Sequence, residues 1–505
     1  MIRGGLRFSF YFYLVLAGTG LWAQSTSGGS LLALAKTLSS TNAAPLLPPA
    51  PSINAPSATE PPLYTYPAIT PQSSLEAHSL TELLDYKTDT GSPRWPSPNP
   101  WFPTDLYQGT ITRKQFEQKL ATLYDPFGVF PAYLDINDQR VVIYPSTKKT
   151  GDPQFILQFA PPNEPRAPMR WFRTPEEMRA QTHPIDKPLN GLRVAIDPGH
   201  IGGPWAQMEE RSTSYNHSAP VQEGDLNLIT ARLLKQQLID LGATVFVVRD
   251  STEPVTPYRP GDMLPIARQM LINHLHSATL QAMSPEKANL ALGRKLTELA
   301  EFLFYRGAEI RDRGNRIRNN FVPDITVTLY IDATPGSGRG RLTSANANIF
   351  FVHGAYTKVE MADPDCQRRC IYKMVEGSSP IEFEVASDIA SVFAQRTGLG
   401  PVKYGDSSTT RLVIPGNLAV VARNLAANRD YDGPVVCTEP YFMNNRTVYQ
   451  RLLAGDYEGL RTFDGKKIPS IFREYADCVA QGLVKSYSGP TNLAGTTNAA
   501  PLHPK

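Results

Sequence analysis

Four polar residues stand where an α/β chain would place them to do chemistry. His200 closes Asp197-Pro-Gly-His200, at the end of the apolar stretch Leu192-Arg-Val-Ala-Ile-Asp197. That stretch reads as a buried strand, and Pro198 and Gly199 turn the chain so that His200 rises above the C-terminal edge, where open α/β sheets hold their ligands. Glu223 stands immediately before a helix that begins at Asp225, so its carboxylate reaches the same crevice. A His and a Glu from adjacent connections are two ligands of a zinc site, and Asp332, just past the strand Ile325 to Ile331, offers a third at the same edge. Glu439 ends the strand-like run Pro434 to Thr438, where a carboxylate can take the proton of a water as it attacks a carbonyl.

The elements that must position these residues follow from periodicity. Leu226, Ile229, Leu233, Leu234, Leu238 and Leu241 mark one helical face, and Gly242 stops that helix ahead of the strand Thr244-Val-Phe-Val-Val248. The unit is β-α-β with a parallel pair. Residues 252–305 form a mainly helical insertion longer than one crossover needs. Asn346 to Val352 is a fourth strand after a Gly-rich loop, short enough to predict a hairpin with the third. A helix over Ile381 to Arg396, the Glu439 strand and a closing helix over Ile471 to Tyr487 complete the domain, 188–488. The fold class predicted is a three-layer α/β/α domain with a mixed, mostly parallel sheet.

Ahead of it the chain changes character. Residues 1–23 combine Arg3 and Arg7, the apolar run Phe8 to Ala17 and small residues, the three parts of a secretory signal peptide. The run is too short for a comfortable membrane span, so an exported protein of the periplasm or cell envelope, with no stable membrane insertion after cleavage, is expected. Residues 24–104 are dominated by Pro, Ser, Ala and Thr and read as a disordered linker, as does the tail 489–505. Between linker and main domain, 105–165 predicts a small α+β module. Its helix starts at the capping box Thr112-Arg-Lys-Gln115, and two strands follow, Arg140 to Tyr144 and Gln154 to Phe159. A net charge of +3 over 505 residues excludes recognition of nucleic acid through bulk electrostatics. Cys366, Cys370, Cys437 and Cys478 are too few for a disulfide scaffold, but an oxidising compartment permits a bridge, and Cys366 and Cys370 are spaced to close a small loop.

Five ordered pieces of the main domain resemble the zinc-dependent N-acetylmuramoyl-L-alanine amidases of the type 3 class: VAIDPGH ending on His200, EGDLNL from Glu223, GATVFVVRD, RGNRIRNNFVPDITVTLYIDA, and VVARNLAANRDYDGPVVCTEPYFMNN around Glu439. The likeness implies Zn²⁺ as cofactor, His200 and Glu223 as ligands and Glu439 as general base. It implies cleavage of the amide between the muramic acid lactyl group and L-alanine in peptidoglycan. A regulatory protein partner is compatible with it, because inserted helices occlude the crevice in some members; the insertion here is either such a lid or extra packing.

The chain departs from the family at the third ligand, a histidine in a pattern resembling S-I-H-A-N. Aligning IDAT puts Asp332 there and a gap-free alignment from Pro323-Asp324 puts Tyr330 there; both alternate to the same face. Asp332 is preferred because carboxylate is an ordinary zinc ligand. His217, in the loop before Glu223, and His353, at the end of the fourth strand, are the other candidates, and His274 and His276 read as surface residues of the insertion. Among the arginines entering the third strand (Arg306, Arg311, Arg313, Arg316, Arg318), most read as a solvated face, with Arg316 and Arg318 as candidates to hold stem-peptide carboxylates. The rival expectation is a degenerate amidase fold that binds peptidoglycan or a division protein without cutting.

Overall fold

The computed structural model describes residues 101–488 except 216–218, 269–292, 294–295, 334–341, 403–406 and 408. The expected leader and tail, the expected linker up to residue 100, and His217, His274 and His276, lie outside the described residues; 101–104, read as the end of the linker, are instead packed, with Trp101 and Thr104 buried. Among those described, no helix is long and apolar enough to cross a membrane.

The first ordered segment carries α1 (Arg113–Lys119), whose N-cap Thr112 accepts from Gln115 while the Gln115 side chain returns the bond. It packs with a small antiparallel sheet of β1 (Leu134–Ile136), β2 (Arg140–Ile143) and β3 (Phe155–Gln158). This module shares a hydrophobic core with the main domain. Trp101 is stacked on Phe155 at 4.6 Å, and the Tyr107 ring meets Tyr372 of the main domain edge-on at 5.9 Å. Backbone bonds from Ala355 to Leu123 and from Tyr356 to Tyr124 join the two chain segments directly.

The main sheet has seven strands: β4 (Arg193–Pro198), β7 (Thr244–Val247), β8 (Ile325–Leu329), β9 (Asn348–Val352), β10 (Arg411–Leu412), β11 (Val420–Ala422) and β12 (Val435–Pro440), in the order β10-β11-β9-β12-β8-β4-β7. β7, β4, β8 and β12 are mutually parallel, and β9 runs antiparallel to β12. β8 and β9 are therefore not a hairpin: β12, more than eighty residues later in sequence, lies between them. A short loop fixed only the direction of β9, and the pairing went to the strand whose apolar side chains complete both faces.

Central strands buried on both faces explain the near-continuous apolar runs. Val194, Ile196, Val327 and Leu329 face one layer, α2 (Glu223–Asp240), with Leu234 and Leu238 fully buried beneath it. Burying each such side chain contributes about 1.5–3 kcal/mol. On the other face Ala195 and Val435 meet Ile317 of α3 (Glu309–Asn320). An unforeseen helix, α4 (Pro364–Glu376), has local causes: Asp363 caps the amides of Asp365 and Cys366, Pro364 starts the helix, and Gly377 ends it at φ 79°. Its first and second turns hold Cys366 and Cys370, both buried and, like Cys437 and Cys478, not joined in a disulfide. The four-residue spacing that suggested a loop-closing bridge is a helical turn. The layer over α2 is completed by α5 (Ser379–Thr397) and the closing helix α6 (Ile471–Ser488).

Candidate functional site

The site grows from the end of β4. Asp197 is fully buried and its two oxygens are taken by Arg313 at 3.0 Å and the Tyr431 hydroxyl at 2.6 Å. Arg313 also donates to Glu309 at 2.7 Å, to the Pro198 carbonyl at 2.9 Å and to the His200 carbonyl at 2.8 Å. A guanidinium from α3 thus bonds the turn at three points, and Arg249 adds a bond to the Pro198 carbonyl at 3.2 Å. The Tyr330 ring leaves no room for a side chain at Gly199, where a Cβ would lie 2.3 Å from Tyr330 Cε1. His200 follows in the left-handed region, φ 58°, which non-glycine residues enter only when neighbours hold them there.

Glu223 heads α2, and the loop at 201–202 lies against that helix so closely that a Cβ on Gly224 would be 2.3 Å from the Gly202 amide. This contact brings Glu223 Oε2 to 3.4 Å from His200 Nε2. Two donors of one tetrahedral ion with bonds of about 2.0–2.1 Å lie roughly 3.3 Å apart. The pair therefore stands at ligand spacing. The other ring nitrogen, Nδ1, faces Glu209 Oε1 at 3.5 Å, and the second oxygen of Glu209 accepts from the Ile201 amide at 2.8 Å. Burial pushes the Glu209 carboxyl up, but His200 and the Ile201 amide outweigh it and hold the group below its ordinary range. A carboxylate on the far nitrogen is the usual way to orient a metal-binding histidine.

Arg211 completes this side. Its Nε donates to His200 Nε2 at 3.1 Å and lies 3.4 Å from Glu223 Oε2. Arginine only donates, so Nε2 is the acceptor, and the network assigns the ring proton to Nδ1, toward Glu209. The backbone fixes Arg211 in turn: its carbonyl accepts from the Glu223 amide at 3.0 Å, beside the small hairpin of β5 (Ser212–Thr213) and β6 (Val221–Gln222).

Across the crevice Asp332 and Glu439 arrive from the ends of β8 and β12. Burial, then the charge of Glu223, pushes the Asp332 carboxyl up to about 6, against Arg423 and Arg211. Burial, then Asp332 and Glu223, pushes Glu439 up to about 8. Asp332 Oδ1 accepts from the Ala333 amide at 2.7 Å, whereas Oδ2 is buried without a hydrogen-bond partner among the described residues.

For a metal ion the fit is uneven. His200 and Glu223 are spaced as ligands and Asp332 has an oxygen to give, but among the described residues no three His, Cys, Asp or Glu are gathered closely enough to hold an ion. Tyr330 turns its ring edge-on to His200 at 5.4 Å between centroids and packs with Phe351 and Cys437. His353 lies at the opposite edge of the sheet, buried, bonded to the Tyr356 hydroxyl at 2.9 Å and held well below its ordinary range by burial. Arg318 is bound to Asp432 at 2.6 Å, and Arg316 is exposed on the turns of α3 that precede the start of β8, so neither is brought to the C-terminal edge. The arginine of that run which does reach it is Arg313, buried rather than solvated. Glu209 and Arg211 were missed by sequence reasoning, since they sit in an irregular loop with no periodicity; the nearby Glu223 was their only signal.

No family model matches the sequence, and no curated protein matches it. Solved structures do resemble it. The CwlD amidase of Clostridioides difficile, in complex with the GerS lipoprotein, is 14% identical over 59% of this chain and 100% of its own, with a TM-score of 0.31. The apo N-acetylmuramyl-L-alanine amidase Ami1 of Mycobacterium abscessus is 15% identical over 59% and 99%, TM-score 0.30. The catalytic domain of CwlV, an N-acetylmuramoyl-L-alanine amidase of Bacillus (Paenibacillus) polymyxa, is 13% identical over 58% and 97%, TM-score 0.31.

Proposed function

We propose that this chain is an exported cell-wall hydrolase that cuts the amide between the muramic acid lactyl group and L-alanine in peptidoglycan. The observation that carries the reading is the His200–Glu223 pair at ligand spacing, 3.4 Å, with Glu209 behind the imidazole and Glu439 facing the same crevice. Packing alone gives no reason to hold four ionisable groups around one opening. The choice of amide rests on the motif resemblance, above all DPGH, EGDLNL and TEPYFMNN.

A zinc ion held by His200 Nε2 and Glu223 Oε2, with Asp332 Oδ2 as third donor, would supply Lewis acidity to the scissile carbonyl. The chain's own residues do the rest. Glu209 fixes the imidazole so that Nε2 faces the crevice, and Asp197 with Arg313 keeps the turn that carries it. Glu439, at the end of β12, takes a proton from the attacking water and returns it to the departing alanine nitrogen. A carboxylate at the third position instead of a histidine leaves less net positive charge at the carbonyl, so slow turnover is expected.

A second reading, binding to peptidoglycan without cleavage, draws on the guanidinium of Arg211 against the ligand pair. Digestion of purified sacculi with zinc present separates the two. The hydrolase releases stem peptides with a free N-terminal alanine, and Glu439→Gln lowers that release by about 10²–10⁴-fold while sacculus binding persists. Binding by the wild type with no peptide release leaves only the second reading.

A further inference from the structure

Arg211 touches both of the residues that the proposed function assigns to an ion. Its Nε bonds to the lone pair of His200 Nε2 at 3.1 Å, and the same nitrogen lies 3.4 Å from Glu223 Oε2, while those two atoms are themselves 3.4 Å apart. One cationic N–H group is therefore centred on the two donor atoms. An incoming ion needs the Nε2 lone pair that the guanidinium occupies, so contact with Arg211 and coordination of an ion are mutually exclusive at that atom.

Arg211 is built in rather than draped over the surface. Its amide donates to the Ala206 carbonyl at 2.7 Å and its carbonyl accepts from Glu223, which ties its backbone to the residue its side chain covers. The side chain retains about a third of its exposure.

We infer that Arg211 is an intramolecular stand-in for the metal: a guanidinium that neutralises the His200–Glu223 pair and must swing away before an ion can load. It makes the site self-compensated without metal and sets a threshold ion concentration below which the site stays latent. The inference rests on the assignment of His200 and Glu223 as an ion-binding pair.

Zinc titration of metal-stripped protein, against a chromophoric chelator, tests it without recourse to activity. Wild type, Arg211→Ala, Arg211→Gln and the double variant His200→Ala/Arg211→Ala are compared, each first checked for a wild-type melting transition. Removing a charge-assisted hydrogen bond from the vacant state should tighten zinc binding by about tenfold or more in Arg211→Ala and Arg211→Gln, at one ion per chain. The double variant should lose that gain. Equal or weaker binding in both single variants than in wild type, with binding lost in the double variant, overturns the stand-in role and leaves the ion site intact. No zinc bound by any variant overturns the ion site and the inference with it.

Discussion

The two shoulders of the crevice are built differently. On the β4 side both oxygens of Asp197, both ring nitrogens of His200 and both oxygens of Glu209 have partners, and Arg313 alone makes three bonds to the turn and a fourth to Glu309 of its own helix. On the β8 and β12 side Asp332 keeps a buried oxygen without a partner among the described residues, and burial, then two neighbouring carboxylates, pushes Glu439 up to about 8 against Arg423 and Arg211. The first shoulder is satisfied as it stands; the second is not. Buried polar groups left unsatisfied are costly, so they persist where something else completes them. The lesson is that the turn after β4 is held by a completed set of bonds, whereas the opposite wall brings buried carboxylates together with fewer partners.

The comparison is broken most severely at its rigid half. Arg313→Met strands Asp197 and Glu309 as buried uncompensated carboxylates, and urea denaturation should show a loss of about 3–5 kcal/mol. A loss below 1 kcal/mol would mean that the turn does not depend on this guanidinium.

Asp324, at the start of β8, binds Arg173 and Arg193 and fastens the segment after the module to the sheet. Burial raises its carboxyl, but the two guanidiniums outweigh burial and hold it below its ordinary value. Because the folded value lies below the unfolded one, its stabilisation is present above about pH 4 and fades as the pH falls further. Asp324→Asn should cost about 2–4 kcal/mol at pH 7, and the gap to wild type should narrow on acidification below pH 4. A pH-independent gap would contradict the ion-pair account.

Gly224→Ala forces a methyl group into the Gly202 backbone and should cost about 1–3 kcal/mol, with loss of the His200–Glu223 spacing seen as weaker zinc binding. Glu209→Gln is gentler: fold retained, zinc affinity reduced about 10–100-fold through a misoriented imidazole. Unchanged affinity would show that Glu209 does not set the ring.

The sequence made the rigid shoulder legible because it is local. DPGH and the Leu-rich face of α2 lie in one β-α-β unit, and the capping box at Thr112 announces α1. Glu439 was legible as a carboxylate ending an apolar strand. What was hidden depends on long-range packing. The position of β9 beside β12 reflects a pairing across the chain that no loop length encodes. Arg313 looked like one charge in a solvated run, and only Asp197, over a hundred residues away, explains its burial. Asp332 and Tyr330 alternate to one face in the sequence, which carries no sign that Tyr330 packs against Gly199, His200 and Phe351.

The most direct test is a crystal grown with zinc and measured on both sides of the zinc absorption edge. The account requires an anomalous peak about 2.0–2.1 Å from His200 Nε2 and Glu223 Oε2, with Arg211 turned outward. A peak elsewhere, or none while Arg211 still contacts His200, would contradict it.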